Sequence, residues 1–187
     1  MSDELRGQRD AVLTRYGRNL LVCQQIEVAL KEVLKRSRFE GSAAALEAML
    51  EKRAEKLRTS TLGALVEEIK ESVLRSEADE DVETAPVSVP DYWVRFAYQM
   101  RGSEDFVARR VNDLDWLVSE RNALAHHFLP RWSPNDPDGL QATMDFLDEQ
   151  FERLEGIRAD WERHLEEHLE SRRLLVSFLA SPELGEV

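Results

Sequence analysis

A short stretch in the second half of the 187-residue chain combines side chains that suit phosphate chemistry. Arg121 and His126 stand five positions apart, and Asn122 and His127 lie beside them. A guanidinium is a permanently charged planar fork that matches a phosphate, and an imidazole exchanges protons near neutral pH. On a helix the two residues are roughly 7.5 Å apart along the axis, so their side chains could converge on one anion. The combination fits phosphodiester cleavage, but taken alone such a pattern is more often a bundle-core salt bridge beside a helix-end histidine.

Arg121 occupies a position where the surrounding pattern calls for an apolar residue. The helix that Ser103 can cap carries an apolar seam with three- and four-residue steps. The members of this seam are Val107, Val111, Leu114 and Val118. The next steps of the same rhythm are Arg121 and Ala125. Because an unpaired buried guanidinium costs several kcal/mol, Arg121 needs either a carboxylate partner or an open cleft.

The stretch from Arg121 to His126, RNALAH, resembles the R-x4–6-H motif of the HEPN superfamily, in which asparagine often follows the arginine. His127 would match the same motif with one more intervening residue. The resemblance implies a metal-independent endoribonuclease without a cofactor, of the kind found in toxin–antitoxin and anti-phage systems. It also implies a homodimer in which two motifs meet across the interface and form a composite site.

The resemblance further implies a role for each residue of the motif. Arg121 would hold the scissile phosphate, and His126 would act as general base or acid while the RNA 2′-hydroxyl attacks. Asn122 would orient this pair, and the product would carry a 2′,3′-cyclic phosphate. Phe128 stands where related toxins carry a tyrosine that the antitoxin modifies, so a protein partner that masks the cleft would have to neutralise this chain. The alternative is a catalytically inactive HEPN-like module that dimerises and binds a protein partner or a nucleotide.

Helical periodicity dominates the elements that must position this stretch. Three- and four-residue apolar steps predict a long first helix with the stripe Leu13, Tyr16, Leu20, Cys23, Leu30 and Leu34. Ser42 can cap a second helix, and a third carries Leu62, Leu65, Val66, Ile69, Val73 and Leu74. Nothing alternates with period two, so we expect no strands. The sequence predicts a single all-α, HEPN-like domain over residues 1–187, a bundle of about five or six helices.

Three segments between the helices have their own predictions. Residues 76–90 are acidic and contain proline without a helical period, which predicts a mobile surface loop. The segment after Asp91 predicts a short helix that ends near Gly102. Residues 130–139 contain three prolines and predict a turn. Asp138 can then cap a long C-terminal helix.

The formal net charge of −12 conceals an uneven distribution. Residues 1–58 carry 12 basic and 9 acidic side chains, whereas the remainder is strongly acidic. We expect RNA to contact a basic patch on the first helices, with Trp132 stacking on a base. The patch comprises Lys31, Lys35, Arg36, Lys52, Arg53 and Lys56. The alternative is an ordinary helix surface on which these cations pair with neighbouring glutamates.

The remaining motifs favour structural roles. His164 and His168 form an H-x-x-E-H pattern, but no third ligand stands out, and we expect no metal site. Cys23, the only cysteine, is expected in the core, as are most of the four tryptophans. No apolar run approaches the roughly 18 residues of a membrane span, and the charged N-terminus lacks a signal sequence. We therefore expect a cytoplasmic protein without a membrane partner.

Overall fold

The first and last helices pack along each other and form the frame of a helical bundle. A computed structural model describes residues 3–42, 45–79 and 93–179. The helices are α1 (Asp3–Ser37), α2 (Leu46–Arg58), α3 (Leu62–Ser72), α4 (Glu104–His127) and α5 (Pro137–Leu179). A short 3-10 helix, Leu129–Arg131, follows α4. The prediction of an all-α bundle with a long C-terminal helix is confirmed.

The buried faces of the helices follow the apolar periodicity of the sequence. All residues of the predicted α3 stripe are buried, although Val73 and Leu74 lie beyond the end of α3. Helix α5 buries Leu140, Leu147, Leu154 and Trp161 at helical spacing. On α1, Cys23 is buried in the core as expected. Leu13, however, is 51% exposed, so the first residue of the predicted α1 stripe was assigned to the wrong environment.

Four short strands contradict the prediction that the chain has none. Strand β1 (Arg38–Ser42) pairs antiparallel with β3 (Trp93–Ala97), and β2 (Leu74–Ser76) pairs parallel with β4 (Met100–Gly102). The predicted helix before Gly102 is therefore wrong. These strands are three to five residues long and find their partners far away in the chain, so local periodicity carries almost no signal for them.

The helix ends agree with the sequence in one case out of three. The Ser103 side chain accepts a hydrogen bond from the Phe106 backbone N–H and caps α4 as predicted. Ser42 lies in β1 and does not cap α2, which begins after Ala45 without a side-chain cap. At α5 the Asp136 carboxylate accepts from the backbone N–H of Asp138, so the cap lies two residues before the predicted one.

The loop predicted over residues 76–90 falls mostly outside the described residues. Ser76 ends β2, and a turn follows over residues 77–79, whereas residues 80–90 are not described. Among the described residues, no helix is both long and apolar enough to cross a membrane. The predicted turn over 130–139 is present, because residues 132–136 connect the 3-10 helix to α5.

Candidate active site

The Arg121 guanidinium lies near the end of α4 and is only partly buried. Its Nη1 donates a hydrogen bond to Oδ1 of Asn122 over 3.2 Å. No carboxylate within the described ranges forms an ion pair with it. The nearest acid in sequence, Glu120, instead accepts a hydrogen bond from Gln150 Nε2 over 2.6 Å. Arg121 thus retains a positive charge that no protein side chain of this region neutralises.

The Arg121 side chain faces a cavity between α1 and α4, here named the Arg121 cavity. Its volume is about 470 Å³, and its lining includes Cys23, Gln24, Glu27, Val28, Arg121 and Ala125. Burial raises the pKa of the Cys23 thiol to about 11, and the positive charge of Arg121 opposes that rise. The thiol is therefore protonated and unreactive at neutral pH. The open cleft that the sequence required for Arg121 is present.

His126 and His127 are exposed in the last turn of α4. Their ring centroids are 6.3 Å apart in an edge-on arrangement. His126 lines a second cavity of about 320 Å³, here named the aromatic cavity. The other walls of the aromatic cavity include Leu13, Tyr16, Phe128, Leu129 and Trp132. The imidazole of His126 is thus accessible to a ligand.

Arg121 and His126 do not share a cavity within one protomer. Five residues of α-helix rotate a side chain by roughly 140° around the axis, so the two residues lie on different faces of α4. Ala125 lines both cavities and separates them. The expectation that both side chains converge on one anion is therefore not fulfilled by a single copy of the chain.

Two segments without acidic residues surround both cavities. Residues 11–26 of α1 and residues 121–135, which run from α4 into the turn, contain no Asp or Glu in a chain of net charge −12. They supply every residue that lines the aromatic cavity and all but two that line the Arg121 cavity. Arg15 and Arg18 of the first segment pair with Asp148 of α5. Arg121 thus forms no ion pair within the described residues, and the acid that lines its cavity, Glu27, pairs with Lys31.

No family model, curated protein or solved structure matches the chain. What the site can do must follow from its own residues.

Most of the expected basic patch is already paired with carboxylates. Lys31 pairs with Glu27 over 2.7 Å, Arg53 pairs with Glu68 over 3.0 Å, and Lys35 and Arg36 both approach Glu32. Lys52 and Lys56 on α2 are exposed, and no ion pair is formed by either within the described residues. The structure therefore leaves two lysines of this patch available to a polyanion.

The H-x-x-E-H pattern on α5 lies in a closed environment. His168 is fully buried beside the rings of Phe96 and Tyr98, whose centroids lie 5.8 and 4.2 Å from its own. His164 approaches Glu167 over 3.2 Å and Arg110 over 3.5 Å. Over residues 3–42, 45–79 and 93–179, no cluster of His, Cys, Asp or Glu is suited to a metal ion. His168 packs against β3, whereas His164 contacts Arg110 of α4, so each histidine has contacts within the fold.

Two features of the site were not anticipated from the sequence. One is the aromatic cavity, because nothing in the sequence pairs Tyr16 with Phe128. The other is a buried amide chain in which Asn19 Nδ2 donates to Gln150 Oε1 over 2.9 Å, and Gln150 in turn holds Glu120. An asparagine inside the apolar stripe of α1 was the available signal for this chain, since a buried amide requires partners. It connects α1 and α5 to α4 beside Arg121.

Proposed function

We propose that the chain is a HEPN-like, metal-independent endoribonuclease that works as a homodimer. The observation that supports this most is the Arg121 guanidinium, which faces an open cavity without a carboxylate partner and precedes an exposed imidazole by five residues. A structural arginine at such a position would be neutralised by an acid. A guanidinium without a carboxylate partner is suited to a phosphate, and the acid that lines its cavity, Glu27, is paired with Lys31.

The chemistry assigns one task to each polar group. Arg121 holds the non-bridging oxygens of the scissile phosphate, and Asn122 keeps the guanidinium in place through its side-chain oxygen. One imidazole accepts the proton of the 2′-hydroxyl while the 2′-oxygen bonds to phosphorus. The bond from phosphorus to the 5′-oxygen breaks, and a second imidazole returns a proton to that leaving oxygen. The products are a 2′,3′-cyclic phosphate and a free 5′-hydroxyl.

A second copy of the chain explains why the two functional groups lie in separate cavities. Leu21 and Val28 on α1 are 59% and 61% exposed, and Val28 lines the Arg121 cavity. Burial of such side chains against a second copy is favourable, by roughly 25 cal/mol per Å² of apolar surface. The proposed composite site requires that a two-fold contact over this face bring His126 of the second copy to Arg121 of the first. The composite site therefore needs the dimer.

The test of catalysis is cleavage of mixed RNAs by purified protein in EDTA. We expect wild type to cleave, and Arg121→Ala or His126→Ala to be about 10²- to 10³-fold slower, because each lacks a group that acts only in the transition state. Arg109→Ala is the matched control, since Arg109 is an exposed arginine of the same helix. Equal cleavage by all variants, or none by wild type freed of any partner, contradicts the proposal. If wild type cleaves no RNA, the alternative of a catalytically inactive binding module is left.

The test of the dimer is sedimentation of Leu21→Glu. We expect this variant to become monomeric and to lose cleavage, because a charge on the contact face opposes association. Leu174→Glu on α5, at an equally exposed leucine far along the chain, should leave both properties unchanged. A Leu21→Glu monomer that still cleaves RNA at the wild-type rate rules out the composite site.

A toxin or anti-phage setting fits an enzyme of this type in the cytoplasm. Phe128 is buried at the end of α4 and has no hydroxyl for a modifying antitoxin, so we assign inhibition to a protein partner that covers the cleft. Induced expression of wild type should then arrest growth, whereas Arg121→Ala should not.

A further inference from the structure

The aromatic cavity has walls that are built for a flat, apolar ligand. The rings of Tyr16 and Phe128 lie 4.4 Å apart, and those of Phe128 and Trp132 lie 6.0 Å apart. The Tyr16 hydroxyl donates to the carbonyl of Leu124 over 3.2 Å, so its ring is fixed to the end of α4. The volume of about 320 Å³ lies at the lower end of the range of roughly 300 to 1,000 Å³ for small-ligand sites.

The surroundings of the aromatic cavity are compatible with negative charge near the ligand. No acidic residue lines it, and the flanking segments 11–26 and 121–135 contain none. His126 stands on its rim, and Ala125 lies between it and the Arg121 cavity. A ligand that enters both cavities needs a flat apolar part and an anionic part. A nucleotide has this composition.

We propose that the aromatic cavity binds one unstacked nucleobase of the RNA, next to the phosphate held by Arg121. This inference rests on the proposed function and specifies its substrate, which must present a base that is free to leave its stack. Aromatic side chains accept any base on their faces, and base–aromatic stacking commonly contributes a large share of single-strand affinity. Trp132 is half-buried, and we assign it the largest part of this contact.

The other candidate occupant is an apolar side chain of a second copy of the chain. Leu129, which is 79% exposed at the mouth of the aromatic cavity, is the residue of suitable chemistry. Charge favours the nucleotide, because an apolar side chain makes no use of the acid-free surroundings. If RNA occupies the cavity, removal of the Trp132 ring should weaken RNA binding. If a second copy occupies it, the same change should weaken the dimer.

The experiment measures binding of 2′-O-methyl oligonucleotides, which the enzyme cannot cleave because the attacking hydroxyl is blocked. Short single strands of each base are compared with strands in which one nucleotide at a time is abasic, against wild type and Trp132→Ala. We expect Trp132→Ala to bind the intact strand about 5- to 150-fold more weakly, as the loss of one stacking contact predicts. The abasic strand should bind wild type equally weakly, and Trp132→Ala should weaken it no further.

Two further variants separate stacking from damage to the fold. Trp132→Phe retains a ring and should retain most of the affinity. Trp116→Ala removes a partly buried tryptophan of α4, which lies on a different surface and stacks with Arg153. This variant should leave binding unchanged. Melting curves of all variants show whether the fold is intact.

Several outcomes would overturn the inference. They are no measurable binding of any strand, equal binding of intact and abasic strands by wild type, or an abasic penalty that persists in Trp132→Ala. A Trp132→Ala protein that turns monomeric while its RNA affinity is unchanged assigns the cavity to a second copy. Failure of the proposed function looks different, since binding with the predicted coupling but no cleavage of unmodified RNA would leave the base site intact.

Discussion

Two arginines of helix α4 have opposite environments. Arg110 lies beside His164 of α5, and Arg121 precedes His126 by five residues along the chain. Arg110 pairs with Asp160, lies over the Phe106 ring and approaches His164 of α5. Arg121 has only the neutral side chain of Asn122 as a hydrogen-bond partner within the described residues. The first arginine is closed in by the fold, and the second is left open beside a cavity.

The difference separates an arginine that the fold has paired from one that remains open to a ligand. At Asp160, burial alone would raise the carboxyl pKa, but the hydrogen bond and charge of Arg110 lower it. That network is complete, so a ligand would gain nothing by entering it. At Arg121 no carboxylate of the described residues pairs with the charge, which leaves the guanidinium available to a ligand or a second copy. Local charge balance, not the presence of Arg and His, therefore distinguishes a candidate site from a packing contact.

Replacing each of the two arginines separately by alanine gives the largest expected contrast in cleavage rate and stability. Arg121→Ala should slow RNA cleavage by about 10²- to 10³-fold and leave the free energy of unfolding nearly unchanged. Arg110→Ala should do the reverse and lower that free energy by about 1 to 2 kcal/mol, because Asp160 loses a partly buried partner. Urea unfolding and initial cleavage rates measure both. Similar destabilisation by the two variants would erase the distinction.

The histidines His168 and His127 should differ in how much they contribute to the free energy of unfolding. His168→Ala removes a fully buried ring that packs beside Phe96 and Tyr98, so we expect a loss of about 2 to 4 kcal/mol in unfolding free energy. His127→Ala removes an exposed ring and should change this free energy by less than about 0.5 kcal/mol. An equal effect of both substitutions in urea titrations speaks against the buried placement of His168.

The stability that the cluster of Arg110, Asp160 and His164 provides should also depend on pH. Burial lowers the pKa of His164 below the ordinary value of 6.5, and the positive charge of Arg110 lowers it further. The carboxylates of Glu167 and Asp160 raise this pKa but do not cancel the shift. The unfolded chain therefore takes up this proton first, and stability falls as the pH drops below about 6.5. The slope cannot exceed about 1.4 kcal/mol per pH unit for one proton.

His164→Gln is the control for this pH dependence. It should remove the slope just below pH 6.5, as read from urea midpoints. The steeper fall at lower pH should remain, because Arg partners lower the folded-state pKa of Asp148 and Asp160 from 3.8 and their stabilisation is lost in acid. An unchanged slope near pH 6 in His164→Gln would place the titrating group elsewhere.

The smallest expected effect concerns the basic patch. Lys52→Ala and Lys56→Ala should each weaken RNA binding a few-fold and reduce the slope of log K against log salt by about 0.7. Lys31→Ala should have less effect, because Glu27 already neutralises Lys31. Anisotropy titrations at several salt concentrations measure this. A larger loss with Lys31→Ala would show that the ion pairs open on binding.

The helical part of the fold was predictable because its signal is local. The stripes of α3 and α5 repeat every three to four residues, and Ser103 stands directly before its helix. The strands were not predictable, since Phe96 and Tyr98 are ordered by β1 and by His168 of α5, which are distant in sequence. Leu13 was misassigned because periodicity cannot tell a core face from a face that borders an open cavity.

The surroundings of Arg121 could be predicted in part, but the arrangement of the candidate site could not. The placement of Arg121 in an apolar rhythm implied a cleft or a carboxylate, and the structure shows the cleft. Its separation from His126 follows from helix geometry alone and should have been anticipated. The aromatic cavity depends on Tyr16 of α1 meeting Phe128 after α4, which no short-range pattern encodes.

The most direct test of the central claim uses an RNA with one mapped cleavage site and a 2′-deoxy substitution at that nucleotide. If the open Arg121 and His126 groups catalyse attack by the 2′-hydroxyl, the unmodified RNA should yield a 2′,3′-cyclic phosphate and a 5′-hydroxyl. The 2′-deoxy RNA should remain intact at this position, and Arg121→Ala should cleave neither. Cleavage of the 2′-deoxy RNA at the same site, or cleavage by Arg121→Ala at the wild-type rate, would contradict the account.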